Sequence, residues 1–144
     1  MAKVSASSSH TFSVPAEKVL GALSDYETVR PRILPENYHD FAVVEGGQGG
    51  GTVAQWVLQA TKKRSRNVLA TVSVEGSTIT ETDANSSMVT TYVVTPAGTG
   101  SSVTTTTEWT GAGGIGGFFE KTFAPLGLKK IQAQLLENLS RQVE

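Results

Sequence analysis

The residue types best suited to acid–base chemistry are scarce in this sequence, which has two histidines, three tyrosines and no cysteine. His10 falls on the apolar side of an alternating stretch, whereas His39 has no carboxylate at metal-ligand spacing. A lone inward histidine is more often a hydrogen-bonded core residue than an acid or base, so a structural role for His10 is favoured. If the chain catalyses a reaction, His10 is the best candidate base. No metal site and no cofactor are predicted, and cysteine chemistry is excluded.

The alternation of apolar and polar residues predicts which side chains face the interior on two strands, Thr52–Ala60 and Ser101–Thr110. On the first strand the more apolar set contains Trp56 and Leu58, and on the second it contains Thr105, Thr107 and Trp109. These side chains would line a cavity with aromatic rings and hydroxyl groups, as a binding site for a small molecule requires. Core filling beneath a helix explains the two tryptophans equally well, so both interpretations stay open.

Three phenols and two arginines add further candidate contacts. Tyr26, Tyr38 and Tyr92 can each donate a hydrogen bond to a ligand oxygen, but the sequence does not indicate which phenol points inward. Tyr92 is kept as a ligand-binding candidate. Arg30 and Arg32 flank a proline and are interpreted as solvated surface residues in preference to a site for a carboxylate or phosphate.

Two short runs resemble binding motifs but are better explained as turns. Gly46–Gly51 is rich in glycine, yet it lacks the lysine of a phosphate-binding loop and leads into a strand, so it is predicted to be a hairpin turn without a catalytic role. The basic run Lys62–Arg66 lies between two strands and is interpreted as a solvated turn. Transient contact with an anionic membrane surface is its alternative function.

The elements that must position these residues follow from hydrophobic periodicity and turn residues. An alternating strand at Lys3–Val14 precedes a helix that begins near Ala16 and stops near Ser24. Asp25 is expected to cap a short turn that Pro31 ends. Short connections then predict an antiparallel meander of six more strands: Phe41–Glu45, Thr52–Ala60, Asn67–Glu75, Ser77–Asp83, Ser87–Thr95 and Ser101–Thr110.

The last stretch, Gly111–Glu144, is predicted to be the long helix around which the sheet folds. Its buried face is marked by leucines and an isoleucine at steps of three and four, and its solvent face by polar residues that include Gln132. The buried set is Leu128, Ile131, Leu135 and Leu139.

A joint in this helix is expected where Pro125 and Gly127 interrupt it. The segment before the joint carries Phe119 and Phe123, which are taken as ligand-binding candidates. This segment and the Gly46–Gly51 turn are expected to form a movable mouth of the cavity. A simple bend that follows the curved sheet is the alternative.

The length and net charge of the chain limit the number of domains and the kinds of partner. A chain of 144 residues fits one domain with a sizeable core, and a net charge of -1 gives no overall basic field for nucleic acid. The first residues contain no apolar segment of a signal or membrane span, so a cytoplasmic location is expected. The predicted partner is a hydrophobic small molecule, with at most transient contact with a membrane surface. The expected oligomeric state is a monomer or weak homodimer.

Three features together resemble the START-like helix-grip superfamily (SRPBCC), and within it the bacterial polyketide cyclase/dehydrase and lipid-transport group. They are the order β-α-α-β6-α with its long C-terminal helix, the entry Val14-Pro15-Ala16-x-x-Val19-x-x-x-Leu23-Ser24-Asp25, and the glycine loop Val44–Val53. The resemblance covers residues 1–144 as one domain. It implies an α+β helix-grip fold in which a seven-stranded, curved antiparallel sheet grips the last helix, with an internal cavity between them.

The function expected from this resemblance is binding or transport of an apolar or amphipathic molecule, lipid-like or polyketide-like, in that cavity. A cyclase or dehydratase is the alternative, with His10 as base and Tyr92 and Trp109 in the pocket. Related aromatases often use a pocket arginine, and no arginine falls clearly on an inward strand face here. A protein-interaction module with a closed core is the third hypothesis.

Overall fold

The computed structural model describes residues 3–61, 64–110 and 125–144. Seven strands and three helices make up this part of the chain. Their order is β1 (Lys3–Phe12), α1 (Ala16–Leu23), α2 (Arg30–Ile33), β2 (Tyr38–Glu45), β3 (Val53–Thr61), β4 (Arg64–Glu75), β5 (Thr78–Asp83), β6 (Val89–Ala97), β7 (Gly100–Thr110) and α3 (Pro125–Val143).

The strands form one antiparallel sheet in the order β1-β7-β6-β5-β4-β3-β2. Strands β2 to β7 follow one another as a meander, and β1 pairs with β7. Tight turns make these neighbours possible: Gly76 and Gly98 each adopt a φ of +59° between paired strands, a conformation that glycine reaches without strain. The predicted seven-stranded antiparallel sheet, with its meander of six strands, is therefore confirmed.

The inward face of the sheet follows the predicted alternation. On β7 every second residue from Ser101 to Trp109 is buried, and on β3 Trp56 and Leu58 are buried while Gln55 is exposed. This period of two is what a strand with one covered face requires. Helix α3 covers that face, so the helix-grip arrangement expected from the sequence is present.

Helix α3 buries a wider face than predicted. Leu128, Ile131, Leu135 and Leu139 are buried as expected, but Gln132 is also buried, with 6% of its surface exposed. Its assignment to the solvent face was wrong, because a polar side chain one turn after Leu128 lies on the same helix face. The Gln132 amide is accommodated there through hydrogen bonds to the carbonyl of Ala6 (3.1 Å) and the hydroxyl of Thr107 (3.3 Å).

The turn after α1 differs from the prediction at one residue. Asp25 does cap it, since its Oδ1 accepts hydrogen bonds from the backbone N–H groups of Glu27 (3.1 Å) and Thr28 (2.9 Å). Pro31, however, does not end the turn; it lies in the first turn of α2. A proline is tolerated there because its missing N–H would have no helical partner.

The glycine loop between β2 and β3 is a turn, as predicted, with positive φ at Gly46, Gly47, Gly49 and Gly51. It is bonded to the chain after α1: Gly49 N donates to Ser24 O, and Tyr26 N donates to Gly47 O, both at 2.8 Å. These bonds tie the loop to the chain after α1, and its movement as part of a cavity mouth stays a prediction.

Several expectations concern residues beyond the described ranges. Phe119, Phe123 and the helix before the joint at Pro125 belong to residues 111–124, which lie outside the described part, and α3 is described from Pro125 onward. No helix of the described ranges is long and apolar enough to cross a bilayer.

Candidate functional site

A small cavity lies between the sheet and α3. Its volume is about 30 Å³, and a cavity of that size has room for one or two water molecules. The residues that line it come from strands β2, β3, β5, β6 and β7, from the chain just before β6, and from α3: Tyr38, Trp56, Leu58, Glu81, Met88, Thr90, Tyr92, Thr105, Thr107, Leu128, Gln132 and Leu135.

One side of the cavity is aromatic. Trp56 stacks against Phe41 with ring centroids 6.1 Å apart and an interplanar angle of 19°, and Tyr38 packs on it at 6.0 Å. Tyr38 and Trp56 line the cavity together with Leu128 and Leu135 of α3. This wall suits an apolar or planar ligand.

A buried ion pair includes one of the residues that line the cavity, Glu81. Arg30, on α2, and Glu81, on β5, are joined by a bond of 2.7 Å from Nη1 to Oε2, and their side chains are only 3% and 5% exposed. The same Glu81 Oε2 accepts the phenol hydrogen of Tyr26 at 2.6 Å. We call Tyr26, Arg30 and Glu81 the ionic cluster.

Each nitrogen of the Arg30 guanidinium donates a hydrogen bond to a protein group. Besides Glu81, the guanidinium donates from Nε to the carbonyl of Leu23 (2.9 Å) and from Nη2 to the phenol oxygen of Tyr26 (3.2 Å). Its Cζ lies 4.4 Å from the ring centre of Tyr26 and 4.7 Å from that of Tyr92, within the range of cation–π attraction. Arg30 itself is not among the residues that line the cavity.

The charges of this region are stabilised by their neighbours. Burial by itself lowers the pKa of Arg30, but the Tyr26 phenol and the Glu81 carboxylate outweigh that effect, so its pKa is raised and the guanidinium stays charged. Burial raises the pKa of Tyr26, Tyr38 and Tyr92 well above the ordinary range of a phenol. The three phenols therefore remain protonated donors at neutral pH.

Two polar atoms at the cavity have no partner among the described residues. Glu81 lines the cavity, and both of its described hydrogen bonds, from Tyr26 and Arg30, go to Oε2. No described residue donates a hydrogen bond to the other carboxylate oxygen, Oε1. The Thr105 hydroxyl is buried and lies beside the Tyr92 phenol, but no bond of good geometry joins them. Thr107 differs, since its hydroxyl bonds to Thr90 (2.9 Å) and Gln132 (3.3 Å).

The structure brings together five of the residues that the sequence proposed for a binding site. Trp56, Leu58, Tyr92, Thr105 and Thr107 all line the cavity.

Two other proposed residues that the structure describes, Trp109 and His10, lie outside the cavity lining. Trp109 is buried on β7 but is not part of the cavity lining. His10 is on the helix-facing side of β1, as expected, yet it packs edge-on against Phe12 at 5.0 Å and does not line the cavity. Its neighbour is Glu144, whose pKa is lowered mainly by a hydrogen bond from Ser13 N (2.7 Å) and slightly by His10.

The ionic cluster was missed by sequence reasoning. Arg30 was interpreted as a solvated surface residue, but it is 2% exposed, so that interpretation was wrong. Its element, α2, has only four residues and offers no periodicity to show which side is buried. The sequence did indicate the position of Glu81. It lies two residues after Ile79 on the same strand, so both side chains point to the inward face of β5.

Other sites on the described part are less enclosed. A surface groove of about 590 Å³ runs between the chain after α2 and the outer side of α3; it is lined by Leu34, Pro35, Glu36, Asn37, Gly127, Lys130, Ile131, Gln134 and Asn138. A second groove, of about 350 Å³, borders Asp40, Asn67 and Asn85. Within the described ranges, no three histidine, aspartate or glutamate side chains come together as metal ligands would.

Comparisons with known proteins agree with this architecture. The family model for polyketide cyclase / dehydrase and lipid transport matches residues 1–144. Among solved structures, the solution structure of the KanY protein (ms6282) is 59% identical, with 99% of each chain covered and a TM-score of 0.92. The protein TTHA0849 from Thermus thermophilus is 19% identical, with 96% of each chain covered and a TM-score of 0.77. No curated protein matches.

A plant enzyme shares the same fold at lower identity. Truncated norcoclaurine synthase from Thalictrum flavum is 14% identical, with 99% of this chain and 94% of that chain covered and a TM-score of 0.69. At this identity, and at that of the Thermus thermophilus protein, the likeness shows the fold alone.

Proposed function

Because the chain belongs to the polyketide cyclase/dehydrase and lipid-transport family, we propose that it binds an apolar or amphipathic small molecule between the sheet and α3. The ligand is lipid-like or polyketide-like, and residues 1–144 act as one START-like domain. The observation that carries this proposal is the composition of the cavity wall. Seven of its twelve residues are aromatic or otherwise apolar in body, and the other five supply polar groups: Glu81, Thr90, Thr105, Thr107 and Gln132. A mainly apolar wall with a smaller number of polar groups is the usual make-up of a small-molecule site.

Binding requires the cavity to widen. Its volume of about 30 Å³ is far below the roughly 300–1,000 Å³ of ordinary ligand pockets. A ligand must therefore displace lining side chains. Met88 is the most adaptable of them, because an unbranched thioether chain reaches many rotamers at little cost.

The two tryptophans provide an internal test of this location. Trp56 lines the cavity, whereas Trp109 is also buried in the core but does not line it. A ligand in the cavity should change the emission of Trp56. The Trp56→Phe variant should therefore lose the ligand-dependent signal, and the matched Trp109→Phe variant should keep it.

Native mass spectrometry of the gently purified chain, followed by a screen of lipids and polyketides, supplies the ligands for that test. A bound species that alters Trp56 emission supports the proposal. If no species co-purifies and none of the screened compounds changes the emission of either variant, small-molecule binding has to be abandoned. Capture of a protein partner under the same conditions would then favour an interaction module with a closed core.

Catalysis of the cyclase or dehydratase kind is the second candidate, and one observation favours it. Glu81 is an acidic group on the cavity wall and has one carboxylate oxygen free of described partners, so it can take part in proton transfer to a bound ligand. In an assay where the wild type converts a polyketide substrate, Glu81→Gln should lose turnover and His10→Ala should keep it. The reverse result would return the role of base to His10.

The proposed setting is a cytoplasmic monomer or weak homodimer without a nucleic-acid partner and with at most transient membrane contact. A formal net charge of -1 supports the absence of nucleic acid, since no overall positive field would attract it. Sedimentation with and without anionic vesicles measures both the oligomeric state and the membrane contact.

A further inference from the structure

We propose that the cavity selects ligands that carry hydroxyl or phenol groups and rejects carboxylates, with Glu81 Oε1 as the acceptor for a ligand O–H. This inference rests on the proposed binding function and gives the chemical class of the ligand. It follows from which polar atoms at the cavity are already occupied and which are free.

The negative partner of the buried ion pair faces the cavity, and the positive partner does not. Glu81 is a lining residue, while Arg30 lies behind it. Each of the three guanidinium nitrogens of Arg30 already donates one hydrogen bond, to Glu81, Tyr26 or the carbonyl of Leu23, and the residue is 2% exposed. A ligand carboxylate therefore meets an acceptor oxygen of like charge at this wall, without access to the arginine that would balance it.

A ligand hydroxyl fits the same wall. It can donate to Glu81 Oε1, and a hydrogen bond to a charged acceptor is stronger than one between neutral groups. Oε2 is held by Tyr26 and Arg30 at 2.6 and 2.7 Å, which fixes the orientation of the carboxylate before a ligand arrives.

A second free group can serve another ligand oxygen. The hydroxyl of Thr105 is buried without a hydrogen bond, a state that costs stability unless a ligand or water relieves it. Thr105 and Glu81 lie on β7 and β5, with β6 between them. A ligand with two separated hydroxyls can therefore use both groups.

Four probes that share a pentylbenzene frame test the inference. They are olivetol, which is a resorcinol with a pentyl tail; its dimethyl ether; pentylbenzoate; and pentylbenzene. Olivetol donates two hydrogen bonds, the ether accepts but cannot donate, the benzoate carries the negative charge, and pentylbenzene measures apolar binding alone. Affinity is measured through Trp56 emission and checked by calorimetry.

Olivetol should bind about tenfold or more tightly than its dimethyl ether, as expected for hydrogen bonds to a charged acceptor. Pentylbenzoate should bind more weakly than pentylbenzene. If the ether matches olivetol, or if the benzoate binds most tightly, the inference is wrong while the proposed binding function stands. If none of the four binds, this inference falls, and the lipid and polyketide screen described above decides the binding function.

Single substitutions test whether Glu81 and Thr105 cause the preference for hydroxyl groups. Glu81→Gln should reduce the preference for olivetol over its ether and relieve the rejection of pentylbenzoate. Because this change also disturbs the ion pair, Thr105→Val provides a test that leaves the ionic cluster intact: it should weaken olivetol severalfold and leave pentylbenzene unchanged. Thr104→Val, on the other face of the same strand, is the control and should change neither. An unchanged olivetol affinity in Thr105→Val would remove Thr105 from the site.

Discussion

The interior buries polar groups in two regions that differ in how completely they are satisfied. In the ionic cluster, Arg30 directs its donors to Glu81, Tyr26 and the carbonyl of Leu23. Beneath α3, the hydroxyl of Thr105 and the second oxygen of Glu81 have no partner among the described residues. Buried polar groups that satisfy one another hold a structure together, whereas those left free are suited to a ligand. The comparison therefore separates residues that support the site from residues that contact its occupant.

Breaking the ionic cluster should have the largest effect. Glu81→Ala leaves the charge of Arg30 buried without its counter-ion, so it should lower the free energy of unfolding by about 3–5 kcal/mol in urea titrations. The double variant Arg30→Met/Glu81→Met should recover most of that loss, because it removes both charges and keeps the volume. A loss below about 1 kcal/mol for Glu81→Ala would show that the pair is not buried as described.

The next effect concerns the amide that links α3 to the sheet. Gln132→Leu removes the donor to Ala6 O and to the Thr107 hydroxyl, and should cost about 1–3 kcal/mol. Gln134→Leu on the exposed side of α3 is the matched control and should change stability by no more than about 0.5 kcal/mol. Equal effects of the two changes would contradict the burial of Gln132.

Thr105 and Thr107, two inward-facing residues of β7, allow a satisfied and an unsatisfied hydroxyl to be compared on one strand. Thr107→Val breaks bonds to Thr90 and Gln132 and should cost about 1 kcal/mol. Thr105→Val removes a hydroxyl that has no such bonds, so without ligand it should be neutral or stabilising. Thermal unfolding of both variants compares them directly, and a similar destabilisation would mean that Thr105 is satisfied after all.

The smallest effect is a pH dependence at the turn after α1. Burial tends to raise the pKa of Asp25, but hydrogen bonds from Thr28, Gln48, Glu27 and Val29 together lower it. Its stabilising contribution is therefore present above the ordinary aspartate pKa of about 4 and is lost as the pH falls through the lower folded value. Asp25→Asn should reduce the acid-induced loss of unfolding free energy by about 0.5 kcal/mol. The effect is small because solvent screens the charge of Asp25. Parallel acid titrations of the two proteins measure it.

Sequence reasoning located the strand residues of the site better than the helical ones. A period of two assigns an inward face with little ambiguity, and Trp56, Leu58, Thr105 and Thr107 all line the cavity as a result. The tyrosines could not be ranked, because a phenol is compatible with either side of an element. Tyr92 proved to line the cavity.

Polar residues in helical or irregular segments were the ones misjudged. Arg30 and Gln132 were both assigned to solvent on the grounds of polarity, yet each is buried where the fold supplies its hydrogen-bond partners. Those partners, Glu81 and Ala6 O, are 51 and 126 residues away in the chain. Such long-range pairing has no local signature, so only the tertiary structure shows that a charged or amide side chain can be buried.

The central claim is that ligands enter the cavity beneath α3. An NMR titration of the isotope-labelled chain with olivetol tests it most directly, because amide and methyl shifts report the binding site residue by residue. The predicted shifts lie at Leu58, Met88, Thr105, Leu128 and Leu135. Shifts confined to the surface groove at Leu34, Asn37, Gln134 and Asn138, or no shifts at saturating olivetol, would contradict the claim.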